Sequence, residues 1–159
     1  MLQVMPIIIE GPNGAGKSTL AKTLSEKFDI PISHATRPKN HKDAIDKAVI
    51  QYFNILDGTP MIYDRSHCIS RIIYQNVSRY EATLYLALAR LAAEHSKLIY
   101  CYGQGQRDVN KPHYTEELIK ETEINQQYIR AKYEEILKNL PYIGYNFESD
   151  SLQKLLEAL

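Results

Sequence analysis

The sequence predicts an α/β protein in which a parallel sheet is covered by helices on both faces. Two observations predict it. Apolar runs of strand length alternate with stretches of helical period, uninterrupted by any repeat or low-complexity segment. The first run, Val4 to Glu10, is continuous and β-branched, as a strand buried on both faces requires. Strands that alternate with helices imply parallel pairing, and ligands of such sheets bind at the carboxyl ends of the strands.

The elements follow in order. Gly16 to Phe28 repeats apolar residues at Leu20, Leu24 and Phe28, the spacing of one helix face. Ile30 to Ser33 is a short second strand. Ala44 to Leu56 predicts a second helix with Ile45, Val49, Tyr52 and Leu56 on its inner face, closed by the "DGTP" stop. "PMIYD" predicts the third strand, "LIYCY" the fourth and "YIGYNF" the last. Between them "EATLYLALARLAAEH" is apolar almost all round and is expected to be buried, and Thr115 to Leu140 is amphipathic. "SDSLQKLLEAL" opens with residues able to cap a helix and predicts the last one.

At 159 residues the chain is expected to form one domain, 1–159, able to bury a core without disulfide or metal staples. Nineteen basic residues balance nineteen acidic ones, so no bulk field argues for a membrane or nucleic acid partner. Cys68 and Cys101 are far apart and form no CxxC pair, which suits free thiols in a reducing cytoplasm. Neither a signal peptide nor a membrane span is read at the start of the chain.

The chemistry is carried first by "EGPNGAGKST". Gly11, Gly16, Lys17 and Ser18 satisfy G-x-x-x-x-G-K-[ST] between a buried strand and an amphipathic helix, where that pattern has its physical meaning. Glycines let the chain curl with its amides pointing inward, and the nest at the positive end of a helix binds a polyphosphate. Lys17 is expected on the β and γ phosphates and the Ser18 hydroxyl on Mg2+, with Asn13, Gly14, Ala15 and Thr19 completing the contacts to ATP. Asp64 ends the third strand at the same sheet edge, placed to hold Mg2+ through water or to accept a hydroxyl proton. Arg65 beside it reaches the adjoining cleft, where a guanidinium can fork onto a phosphate. The blander reading is a capping Asp and a surface Arg. The five histidines show no ligand spacing and are expected at the surface or in packing, with His67 and Cys68 leading toward the acceptor cleft. Tyr74 or Tyr114 could stack on a base, and the backbone of 147–151 is a positional candidate for the edge of the adenine.

The phosphate loop, "YDRS" with a later Ser and "YQ", "IRAKYEEIL" and the final "YNFESDSLQKLLEAL" resemble the thymidylate kinase-like branch of the P-loop nucleoside and nucleoside monophosphate kinases, with the order of elements matching over nearly the whole chain. The resemblance implies a three-layer fold around a five-stranded parallel sheet and transfer of the γ-phosphoryl group of ATP to a nucleotide. It implies that Asp64 and Arg65 serve the metal and the acceptor, that Arg37 in "HATRPK" binds the acceptor phosphate, and that "GQGQRDVNKPH", 103–113, is a lid whose Arg107 stabilises charge during transfer. This sequence departs from the pattern in the spacing from Asp64 to Ser70, one residue longer, and in keeping only Tyr52 and Phe53 of "QYFN" where the family reads the base with an aromatic and an Arg. Its compactness is similar to that of small kinases encoded by bacteriophages. The expected partner is a small-molecule nucleotide acceptor. A nucleoside, a hydroxyl on nucleic acid, a switch without transfer and a second copy of the chain stay open as alternatives or additions.

Overall fold

The computed structural model describes residues 5–103 and 116–159. Five strands, β1 (Ile7–Glu10), β2 (Ile32–His34), β3 (Ile62–Asp64), β4 (Lys97–Cys101) and β5 (Ile143–Tyr145), form one all-parallel sheet in the order β2-β3-β1-β4-β5. Six helices connect and cover it: α1 (Lys17–Phe28), α2 (His41–Leu56), α3 (His67–Tyr74), α4 (Arg79–Glu94), α5 (Glu116–Leu137) and α6 (Leu152–Ala158). The expected three-layer α/β architecture is therefore the observed one.

Alternation along β1 divides the core. Ile7 and Ile9 face one side, where Leu20, Ala21 and Leu24 of α1 and Leu155 of α6 close over them. Ile8 faces the other side with Tyr63, Leu98 and Tyr100, beneath residues from α2, α3, α4 and α5. The register Ile9↔Asp64 and Ile9↔Ile99 brings the carboxyl ends of the three central strands to one edge. That edge is where the glycine-rich loop leaves β1.

Several boundaries differ from expectation for identifiable reasons. β1 begins at Ile7, and Pro6 before it has no amide proton to donate to the sheet, although its carbonyl accepts from the Lys97 amide at 2.8 Å. α2 starts at His41 because the Asn40 side chain accepts from the Asp43 amide at 2.9 Å, an N-cap the apolar period does not reveal. Its inner face is also rotated by one position: Ala44, Ala48, Gln51 and Ile55 are buried, and Leu56 is exposed. Small alanines let the helix approach its neighbours closely, leaving Ile45 and Tyr52 at the margin of the core. α4 is buried on one side only, through Tyr85, Ala89, Ala92 and Ala93, whereas Leu84 and Leu91 face outward. α3 is an extra helix, set off by Ser66, whose hydroxyl accepts from the amides of Cys68 and Ile69 at 3.2 Å.

α1 ends on Asp29 in a left-handed conformation, φ 54° and ψ 50°. A side chain there costs about 1 kcal/mol that glycine avoids. Asp29→Gly is expected to stabilise the fold by roughly 0.5–1 kcal/mol, read as a rise in the urea midpoint; an unchanged or lower midpoint would show that Asp29 contributes elsewhere.

Candidate functional site

The loop between β1 and α1 curls through three glycines of positive φ: Gly11 at 152°, Gly14 at 79° and Gly16 at 84°. Two of them are also required sterically. A Cβ on Gly11 would lie 2.2 Å from the Cys101 carbonyl oxygen, and one on Gly16 would lie 2.9 Å from the Phe147 ring. Gly16 is the N-cap of α1, so the loop opens onto the positive end of that helix. Ala15 packs in the core beneath the loop. Lys17 is nearly buried and folds its ammonium back over the loop, donating to the Pro12 carbonyl at 2.8 Å. Burial first, then the charge of Arg65, push its pKa down to about 8, with Glu10 and Asp64 pulling partly back.

Asp64 ends β3 with its Oδ2 3.5 Å from the Ser18 Oγ and 3.1 Å from His34 Nδ1 at the end of β2. His34 thus stands at the site, although no motif announces it; only the parallel register His34↔Asp64 does. Ser18 and Asp64 are hard oxygen donors side by side, the chemistry that suits Mg2+ shared with phosphates and water.

Arg65 follows in a left-handed conformation, φ 84°, unusual for a non-glycine residue and costing about 1–3 kcal/mol. Both flanks hold it there. The Arg65 amide donates to Ile9 O at 2.9 Å, and the Ser66 amide donates to Glu10 Oε1 at 2.6 Å. From α2, the Gln51 amide donates to Arg65 O at 3.2 Å and accepts from the His67 amide at 2.8 Å. The guanidinium donates to Asn13 Oδ1 at 2.7 Å, reaches Gly11 O and the Tyr133 hydroxyl at 3.5 Å each, and lies 4.9 Å from the centre of the Tyr74 ring. Burial works to lower its pKa, but Tyr74 and Glu10 outweigh it and keep the group firmly protonated.

Glu10 is wholly buried and its pKa is raised, with burial the main cause. Its carboxylate accepts from Ser66 N, from Ser70 Oγ at 2.8 Å and from the Tyr133 hydroxyl at 2.7 Å. Reading the end of the first strand as a strand residue alone missed this role; an acidic residue in an otherwise apolar buried run was the available signal.

Two cavities meet at Arg65 and Asn13. One, about 310 Å³, is lined by Gly14, Gly16, Lys17, Ser18, Thr19 and Asp64. The other, about 280 Å³, is lined by Thr36, Arg37, His67, Ser70, Arg71 and Tyr74. Arg37, Arg65 and Tyr74 thus share one cavity, which Arg71 also lines. Tyr52 and Phe53 do not line it: Tyr52 packs against the core and Phe53 is exposed. Arg107 and most of the lid-like 103–113 lie outside the described residues. Cys68 is buried beneath the site and its thiol is pushed up to about 12, so it is a packing residue.

A glycine nest between the central strand and first helix of a 2-3-1-4-5 parallel sheet, facing an acidic-Arg strand end, defines a P-loop kinase fold. Solved structures agree. The YorR protein from Bacillus subtilis, in complex with phosphorylated GDP, superposes with a TM-score of 0.69 at 17% identity, over 97% of this chain and 92% of that one. Deoxyadenosine kinase from M. mycoides, with products dCMP and a flexible dCDP bound, gives a TM-score of 0.55 at 20% identity, over 97% and 95% of the two chains. Thymidylate kinase from Ehrlichia chaffeensis gives 0.55 at 13% identity, over 99% and 100%. No protein-family model matches the chain, and no curated protein matches it. At these identities the likeness is one of fold.

The Lys17 pKa supplies a test. A bound triphosphate surrounds the ammonium with negative charge and raises its pKa, so binding takes up a proton once the free site has begun to lose it. Triphosphate affinity is expected to weaken as pH rises through about 8, and Lys17→Met to bind more weakly with that pH dependence gone. Calorimetry in two buffers of different ionisation enthalpy checks it; pH-independent affinity in the wild type would place Lys17 away from the phosphates.

Proposed function

We propose that this protein is a Mg2+-dependent kinase that transfers the γ-phosphoryl group of ATP to a (deoxy)nucleoside monophosphate, as thymidylate kinases do, acting in the cytoplasm. The observation that carries this reading is the charge of the second cavity: Arg37, Arg65 and Arg71 line it and, among the described residues, no carboxylate does. An acceptor that already bears a phosphate brings about two negative charges beside the triphosphate, and such repulsion must be offset on the acceptor side. A nucleoside would need only hydrogen bonds.

The residues then have distinct tasks. The loop amides and Lys17 hold the triphosphate in the first cavity. Ser18 and Asp64 would hold Mg2+, which neutralises charge on the phosphate oxygens when bound. Arg65, standing in the wall between the cavities, serves the acceptor phosphate. An oxygen of the acceptor monophosphate attacks the γ phosphorus while the bond to the β,γ-bridging oxygen breaks, leaving ADP and the acceptor diphosphate. No general base is needed, because that oxygen is ionised near neutral pH. Arg37 and Arg71 fix the acceptor phosphate, and Tyr74 borders its sugar or base. Among the described residues no helix is long and apolar enough to cross a membrane.

Asp64→Asn is expected to bind ATP measurably and to lose transfer by on the order of 10²-fold or more, since the loop still holds the phosphates while the metal loses its carboxylate. An active Asn variant would reduce Asp64 to a strand-end cap.

The acceptor is tested by kcat/KM for a deoxynucleoside and its monophosphate, with ATP, in the wild type, Arg65→Lys and Arg71→Ala. The monophosphate is expected to be used far better, and both variants to lose mainly acceptor KM, by roughly tenfold or more, with ATP KM little changed. Equal use of both acceptors would favour a nucleoside kinase, and preference for an oligonucleotide terminus would favour a hydroxyl on nucleic acid.

A further inference from the structure

A third cavity opens against α3, and its volume, about 470 Å³, exceeds that of either cavity at Arg65. α3 is a shared wall: Arg71 and Tyr74 line the acceptor side, Ile72 lines the third cavity, and Gln75 borders both. Ala82, Leu86 and Arg90, four residues apart on α4, supply a second wall, and Lys132, Glu135 and Ile136 of α5 a third. The floor is apolar. Ile72, Val77 and Ile136 pack against the core yet are only partly buried, and Leu86 and Leu140 join them. The charge of the lining is uneven. Arg90, Lys132 and Lys138 meet one carboxylate among the described residues, Glu135, in a chain whose charges balance as a whole. None of these four forms an ion pair within the described residues. Lys132 is anchored, its Nζ donating to Ile73 O at 3.4 Å and lying 4.9 Å from the centre of the Tyr128 ring.

We propose that this cavity is a second small-molecule site, which takes an organic phosphomonoester with an aromatic or otherwise apolar body. A cavity of this size with an apolar floor and a few convergent polar groups has the form of a ligand site. Charge selects the ligand. Three cations against one carboxylate leave an excess of two positive charges, and a phosphomonoester, carrying about −1.5 to −2 near neutral pH, neutralises them. A carboxylate would leave one cation uncovered. The floor takes the body, and the side-chain amides of Gln75, Asn76 and Asn139 remain to hydrogen-bond its polar edge. A nucleoside monophosphate and a simple aryl phosphate share this chemistry. Occupancy also bears on the acceptor. A ligand against Gln75 and Lys132 engages the helix that holds Arg71 and Tyr74, through Gln75 at its end and through Lys132 at Ile73 O, so its effect falls on acceptor KM.

The test is titration of the full chain with phenyl phosphate and, separately, with a deoxynucleoside monophosphate, followed by backbone amide NMR spectra. At millimolar probe, shifts are expected at Val77, Ala82, Leu86 and Asn139. The tighter binder of the two names the source of the ligand, and inorganic phosphate and phenol should each bind more weakly than phenyl phosphate. Arg90→Glu/Lys138→Glu reverses two exposed charges and should keep the far-ultraviolet circular dichroism spectrum while weakening those shifts by roughly tenfold or more. With ATP and a monophosphate acceptor, phenyl phosphate should change acceptor KM several-fold in the wild type and not in that variant, whose activity without phenyl phosphate should be unchanged. This last measurement rests on the kinase reading, and the spectra do not. Shifts confined to Thr36, Arg37 and the phosphate loop, or binding untouched by Arg90→Glu/Lys138→Glu, would overturn the site. Binding in the third cavity with acceptor KM unchanged would overturn its link to the acceptor.

Discussion

The site depends on one buried carboxylate. Glu10 sits at the end of the central strand, wholly out of solvent, where an isolated ion would be costly by several kcal/mol. It is tolerated because three donors converge on it from distant parts of the chain: the Ser66 amide, the Ser70 hydroxyl and the Tyr133 hydroxyl. Those donors come from the strand-to-helix turn, from α3 and from α5. The same carboxylate therefore sets the turn that contains Arg65, the start of the helix that lines the second cavity, and the approach of α5 to the phosphate loop. Remove its charge and shape together and three elements lose their common reference.

Arg65 shows what that reference achieves. A left-handed arginine is strained, and an unrestrained turn would relax it. Relaxation is opposed on one flank by Glu10 through Ser66 and on the other by Gln51 through the Arg65 carbonyl and the His67 amide. With its backbone held, the side chain lies between Asn13 and Tyr74, in the wall shared by the two cavities. Preorganisation of this kind would favour phosphate recognition, because a guanidinium that must be ordered at each binding event gives up part of its interaction to entropy.

The frame and the phosphate loop were legible in the sequence because both rest on local rules. β-branched runs, a 3.6 period and glycines at fixed offsets need no knowledge of the rest of the chain, and so the five strands and the nest around Lys17 could be read directly. What could not be read depends on register. His34 meets Asp64 only because β2 pairs with β3 with those two residues side by side. Gln51 holds the Arg65 turn only because α2 turns its alanine side inward, against the reading that placed Ile45, Val49, Tyr52 and Leu56 there. Arg71 enters the second cavity only because Ser66 caps a helix, α3, that the apolar pattern does not predict. A strand register, a helix packed on its alanine side and a side-chain cap set these three positions, and hydrophobic periodicity encodes none of them.

α5 extends the same logic to the other end of the site. Arg130 donates to the carbonyl oxygens of Tyr102 and Gly103, where the chain leaves β4, and one turn later Tyr133 reaches Glu10 and the Gly11 carbonyl. Gly103 in turn packs so closely under Phe147 that a Cβ would lie 2.7 Å from the ring, the ring that also covers Gly16. One helix face thus ties together the ends of β1 and β4, and one aromatic ring spans the phosphate loop and the β4 exit. The sheet edge that carries the phosphate-loop motif is therefore held by side chains from α5 and from the segment after β5, with Gly16 and Gly103 fixed by how near the Phe147 ring comes and Gly11 by the Cys101 carbonyl.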